Sequence, residues 1–120
     1  MQKIIQGNLD ELAPKHKGWF MGYFMDDGSC FKTKDFEIKW GEHKAGEEKP
    51  KVGTQKIAKT LTIIIEGKFK VNFPKENKKI ILTKKGDYLF YDAGVAHSWR
   101  AIENTTIISI RWPSIPGDQI

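Results

Sequence analysis

His97 is the side chain best placed in this sequence to do chemistry. It stands three residues after Gly94, which closes an Asp92, Ala93, Gly94 turn. A neutral imidazole there can accept a proton, donate one, or hold a metal through either ring nitrogen. The turn ends an aromatic and apolar strand, Asp87 to Tyr91, and releases a new one near Val95. Because side chains alternate along a strand, His97, Trp99 and Ala101 share one face, and Ser98, Arg100 and Ile102 take the other. Trp99 beside the imidazole serves as core or as a flat platform for a ligand. His16 and Cys30 have no constellation around them and read as structural.

The elements that must position His97 are short strands separated by turns. Asn8 followed by Glu11 predicts one capped helical turn over Leu9 to Leu12, which Pro14 ends. Trp19 to Met25, WFMGYFM, reads as an aromatic strand, with its return starting at Phe31 to Thr33. In Asp35 to His43, Phe36, Ile38 and Trp40 alternate with Glu37, Lys39 and Gly41, a half-buried strand. Lys44 to Val52 is a polar loop broken by Gly46 and Pro50. Thr60 to Glu66, TLTIIIE, is the most β-prone run. Leu61, Ile63 and Ile65 on one face and Ile64 on the other predict a central strand covered on both sides. Strands follow at Lys68 to Phe73, Ile80 to Leu82 and Thr105 to Trp112, and Pro113 and Pro116 close the ordered part. The pattern predicts one all-β sandwich or barrel.

Composition narrows the class of function. With 39% hydrophobic and 29% charged residues in a chain of 120, a packed core is expected rather than disorder. The net charge of +5 invites a nucleic-acid reading. Yet Arg100 and Arg111 are the only arginines, and the lysines scatter through turns such as Pro74 to Lys79. That describes a solvated surface, so no nucleic-acid partner is expected. The single cysteine allows no internal disulfide, and no apolar run approaches the roughly 20 residues of a membrane span. A cytoplasmic protein with no membrane partner is the expectation.

The spacing of Gly86, Asp92, Gly94 and His97 resembles the second conserved motif of the cupin superfamily, with Asp92 where that motif has proline. Gly67, after the strongest strand, resembles the glycine that ends the first motif. The likeness runs from about Phe36 to Trp112. It implies a single cupin-like domain over 1–120, a small β-barrel of the double-stranded β-helix or jelly-roll type. It also implies a metal in the barrel mouth on three histidines and a carboxylate. In this register the two other histidines fall at Gly53 and Gln55 and the carboxylate at Thr60, so only His97 remains. Divalent ions need several converging donors, so no metal and no cofactor are expected. His43, ten residues before Gly53, stays open as a substitute ligand.

The same register turns Gln55, Thr60, Thr62, His97 and Trp99 into the barrel as ligand-binding candidates. Ser109 and Arg111 share a face of the last strand with Ile107, read as its solvent face. Three functions follow. The first is a metal-free barrel binding a small polar molecule, a sugar or organic acid. The second resembles the metal-independent cupin epimerases and isomerases, with His97 as catalytic base, Tyr88 or Tyr91 as acid, and Asp92 as the orienting partner. The third is a degenerate cupin metalloenzyme. A homodimer is expected, because Trp19 to Met25 and Phe36 to Trp40 carry more aromatic surface than a small barrel covers.

Overall fold

A computed structural model describes residues 3–120. The Asn8 side chain accepts the Asp10 N–H at 2.8 Å and starts the helix α1 (Leu9–Leu12), satisfying a donor that every helix start leaves open. A 3-10 turn with Pro14 in its first positions, Ala13–His16, leads into the sheets. The strands are β1 (Trp19–Met21), β2 (Glu37–His43), β3 (Lys59–Glu66), β4 (Phe69–Phe73), β5 (Lys78–Leu82), β6 (Tyr88–Tyr91), β7 (Ser98–Ala101) and β8 (Thr105–Trp112). They form two antiparallel sheets, ordered β1-β2-β8-β3-β6 and β5-β4-β7. This is the predicted all-β, jelly-roll architecture.

The three-stranded sheet is built conventionally. Phe69, Val71 and Phe73 of β4 face inward with Ala101 and Leu82, and with Ile64 and Ile107 of the other sheet they form the dry core. Gly67 makes the β3 to β4 turn possible. Its φ is +101°, and a Cβ there would run into the Asn104 carbonyl and Thr105.

The five-stranded sheet is built the other way round. On β2 the inward set is Glu37, Lys39, Gly41 and His43, while Ile38 and Trp40 face out. On β8, Ser109 and Arg111 turn inward with Ile107, which corrects the solvent-facing reading of that face, and Ile108 and Ile110 take the outside. Hydrophobicity alone selects the wrong face on these strands, because the interior they line is not purely apolar.

Two further expectations change. The strand predicted over Trp19 to Met25 ends at Met21, where the register against Ile38 slips. Gly22 then exchanges hydrogen bonds with the 31–33 segment instead. The chain also stays structured past Pro116: Gln119 bridges Gln55, and the Ile120 N–H donates to the Thr54 carbonyl at 2.8 Å.

Candidate functional site

Cross-strand register assembles the site in rows. Arg111 on β8 lies opposite Glu37 on one side and Thr60 on the other, and Thr60 lies opposite Tyr91. In the next row Ser109 lies opposite Lys39 and Thr62, and Lys39 lies opposite Trp19. The row beyond, Gly41, Ile107 and Ile64, merges with the core. Polarity therefore declines along the strands, and the polar end is where His97 sits.

His97 immediately precedes β7 and is 3% exposed. Two backbone hydrogen bonds of 2.9 Å tie it to Gly53. The Val95 carbonyl, 3.0 Å from Nδ1, can only accept, so Nδ1 carries the proton and Nε2 keeps a lone pair. Val95, not the exposed Asp92, is thus the orienting partner. Tyr91 presents its ring 4.7 Å from that of His97, centroid to centroid. Tyr88 is 69% exposed on the outer face, which removes it as the partner acid.

These groups enclose a cavity of about 40 Å³, room for about three waters. Lys39, Lys49 and Arg111 line it together with Thr60, Tyr91 and His97. Lys39 Nζ lies 5.2 Å from the Trp99 ring centre. Burial, reinforced by Arg111, lowers the Lys39 ammonium from 10.5 to about 8. Burial and then Arg111 also lower Lys49. His97 is held below its ordinary value first by burial, then by Arg111 and Lys49, against the opposing Val95 hydrogen bond. Burial raises the Tyr91 phenol. The Arg111 guanidinium stacks on Trp19 at 4.4 Å and meets Glu37 at 3.5 Å, and Glu37 also accepts from Ser114 Oγ at 2.9 Å. Arg111 Nε and Thr60 Oγ1 are buried without a protein partner. An outer cleft of about 510 Å³ shares Trp19 and Arg111 with this cavity.

Of the predicted ligand-binding residues, Thr60, Thr62, His97 and Trp99 converge on the cavity. Thr62 and Ser109 hydroxyls hydrogen-bond each other at 2.9 Å. Gln55 is buried but faces the outer cleft, where its Nε2 donates to Asp118 Oδ2 at 3.2 Å. That carboxylate also accepts the Ile57 and Ala58 N–H groups, at 2.9 and 3.1 Å.

The donor set does not fit a divalent cation. His97 offers one nitrogen, Gln55 is committed to Asp118, and a Cβ at Gly53 would collide with the Gln119 amide. Three cationic side chains share the cavity with His97 and would repel the ion. His43 does not substitute. It packs against Phe69 and Trp99 at centroid distances of 5.9 and 4.4 Å, turns Nδ1 to Glu47 at 3.1 Å, and is absent from the wall that His97 lines.

Sequence reasoning missed Lys39, Lys49, Arg111 and Ser109. The available signal was the pairing of polar residues at alternate positions on two neighbouring strands, Glu37 and Lys39 against Ser109 and Arg111. A half-buried sheet would hold one such set outside, but both strands here have an equally apolar alternate face.

No protein-family model matches the sequence, and no curated protein matches it. Solved structures do resemble it. An uncharacterised conserved protein with a double-stranded β-helix domain from Klebsiella pneumoniae aligns over 98% of this chain and 96% of its own, with TM-score 0.68 and 15% identity. An RmlC-like cupin protein from Desulfovibrio desulfuricans aligns over 69% and 76%, with TM-score 0.59 and 23% identity. KdgF from a Halomonas species aligns over 69% and 74%, with TM-score 0.59 and 20% identity. At such identities the likeness is one of architecture.

Proposed function

We propose that this chain, which has the fold of the cupin superfamily, binds a small organic acid without a metal. The observation that carries this reading is the inward placement of Lys39, Lys49 and Arg111 around one enclosed cavity, with Glu37 the only carboxylate paired to them within ion-pair distance among the described residues. Clustered, partly desolvated cations create a field that favours an anion. Arg111 adds a donor, Nε–H, that a carboxylate oxygen would satisfy, and a ligand hydroxyl would satisfy Thr60 Oγ1. A volume of about 40 Å³ is too small for a sugar ring, and a three-carbon acid fills it only as the flexible Lys39 and Lys49 side chains draw back. No helix among the described residues is long and apolar enough to cross a membrane.

Titration calorimetry at neutral pH with lactate and with glucose tests the reading. Lactate should bind and glucose should not, and Arg111→Gln should weaken lactate by about tenfold or more, the worth of a charge-assisted hydrogen bond. Failure of lactate and pyruvate alike to bind the native chain would overturn it. The approach of Tyr91 to His97 supports a second reading, in which Nε2 takes a proton from a bound acid and the Tyr91 hydroxyl returns one. Incorporation of solvent deuterium into lactate would favour that reading.

A further inference from the structure

Lys39 is not placed like a structural lysine. Its side chain runs inward from β2, its Nζ stands over the Trp99 ring, and it forms no salt bridge among the described residues. The charged groups facing it are Arg111 from β8, Lys49 from the loop after β2, His43 from its own strand, and Glu47. The Glu47 carboxylate is already engaged by His43 Nδ1 at 3.1 Å and the Lys44 N–H at 3.0 Å. An ammonium in this position is short of water and repelled by Arg111 and Lys49, penalties that the Glu47 charge offsets only in part and that the neutral amine does not suffer. A neutral primary amine in a confined site is a nucleophile toward carbonyl carbon.

The neighbouring cations decide which carbonyl. Lys39 pairs with Ser109, so Arg111, two residues on, is its diagonal neighbour across the strands, about 7–8 Å away at the backbone. Long side chains close that gap, which brings the amine to the atom next to a carboxylate held by the guanidinium. We propose that Lys39 forms an imine with the ketone of a short 2-oxo acid whose carboxylate is held by Arg111 and Lys49, an assignment that rests on the organic-acid reading above. The Nζ lone pair attacks the carbonyl carbon, a C–N bond forms, and the C–O π bond opens. Both hydrogens of the neutral amine end on the departing oxygen, which leaves as one water, so no oxidant or reductant is required. His97 Nε2 and the Tyr91 hydroxyl line the same cavity and can carry those protons.

Reductive trapping tests this. The native chain is incubated with pyruvate and cyanoborohydride, which adds hydride to the imine and fixes it as a secondary amine, and the adduct is located by peptide mass spectrometry. Lys39 should be modified at least about tenfold faster than exposed lysines such as Lys75 and Lys79, and lactate should protect it. In Lys39→Met the adduct should vanish while the variant keeps the native circular-dichroism spectrum and a cooperative melting transition, which shows that it is folded. Adducts spread evenly over surface lysines, or concentrated on Lys49, would overturn the assignment. Lactate binding without any Lys39 adduct would overturn it and leave the organic-acid reading intact. Binding of neither acid would remove both.

Discussion

Tyr91 and His97 face each other with ring centroids 4.7 Å apart and planes tilted by 43°. The Val95 carbonyl fixes the histidine proton on Nδ1, so the basic nitrogen is the one left for the cavity. The pair comes from two different sheet neighbourhoods, Tyr91 from the β3 edge and His97 from the end of β7. Its geometry therefore reports on how the two sheets are docked.

Acid should destabilise the protein through its buried histidines. Burial holds both His97 and His43 below the ordinary value of 6.5, with Lys39 adding to the effect on His43. Below that value the unfolded chain binds protons that the folded chain refuses. Stability is therefore full above about pH 6.5 and falls as the pH drops through the folded values. Denaturant unfolding at about pH 5 and about pH 7.5 should show this loss, and His97→Gln should reduce it. An unchanged loss in the variant would remove His97 as a source.

Lys39→Met should stabilise the fold. The lysine titrates at about 8 instead of 10.5, so at neutral pH the folded state carries a cation that the unfolded state carries more cheaply. One pH unit corresponds to about 1.4 kcal/mol, and partial solvation trims the effect to the order of 1–3 kcal/mol. In the native chain stability should rise between pH 8 and 10.5, the interval set by the two values. The methionine variant should show a smaller rise, the remainder coming from Lys49. A lower melting temperature for the variant at neutral pH would contradict the assignment.

Breaking the Arg111 and Glu37 pair should be worse than removing it. Arg111→Gln leaves the buried Glu37 carboxylate with only Ser114 Oγ and should lose about 1–3 kcal/mol, while Arg111→Gln combined with Glu37→Gln should recover part of this. A strictly additive double variant would show that the 3.5 Å contact carries no coupling.

Zinc, nickel or manganese should leave the melting temperature unchanged, because a selective ligand stabilises only if the folded state has a site for it. Stoichiometric metal in protein purified without a metal-affinity step would refute this.

Self-association is the expected use of the outer face. Across β2, β8, β3 and β6 the register aligns Ile38, Ile110, Leu61 and Phe90 in one row, and Trp40, Ile108, Ile63 and Tyr88 in the next. Contiguous apolar surface of this kind marks an interface. Of the two segments expected to supply it, 36–40 contributes Ile38 and Trp40, whereas the aromatic residues of 19–25 pack elsewhere, Trp19 under Arg111, Phe20 on Phe31, and Tyr23 and Phe24 on each other with Phe24 also on His16. Light scattering should give twice 13.8 kDa, and Phe90→Asp should shift the mass toward the monomer. A native monomer at all micromolar concentrations would end the idea.

What the sequence disclosed follows a physical line. Turn chemistry at Gly67 and Gly94, the strand at Thr60 to Glu66 and the alternation of His97 with Trp99 are local properties, and the structure reproduces them. The cover expected on both faces of that strand is missing, since Leu61, Ile63 and Ile65 are only half-buried on the outer face. The face each strand of the larger sheet turns inward is not local. Ile38 and Lys39 are equally good strand residues, and only the presence of a cavity behind β2 decides that the lysine goes in. Lys49 was invisible for another reason. It sits in a loop, and what ties it to the site is a contact distant in sequence, its own backbone N–H donating to the Trp99 carbonyl at 3.0 Å.

Arg111 stacked on Trp19 belongs to both the enclosed cavity and the outer cleft. A proposed ligand entering from the outer cleft would meet a guanidinium that Trp19 and Glu37 already engage. On the organic-acid reading speed and tightness are thereby separated: Trp19 sets how fast an occupant exchanges, whereas Arg111 and the lysines behind it set how strongly it is preferred. A change at Trp19 that leaves the cations in place would alter residence time with little effect on equilibrium occupancy.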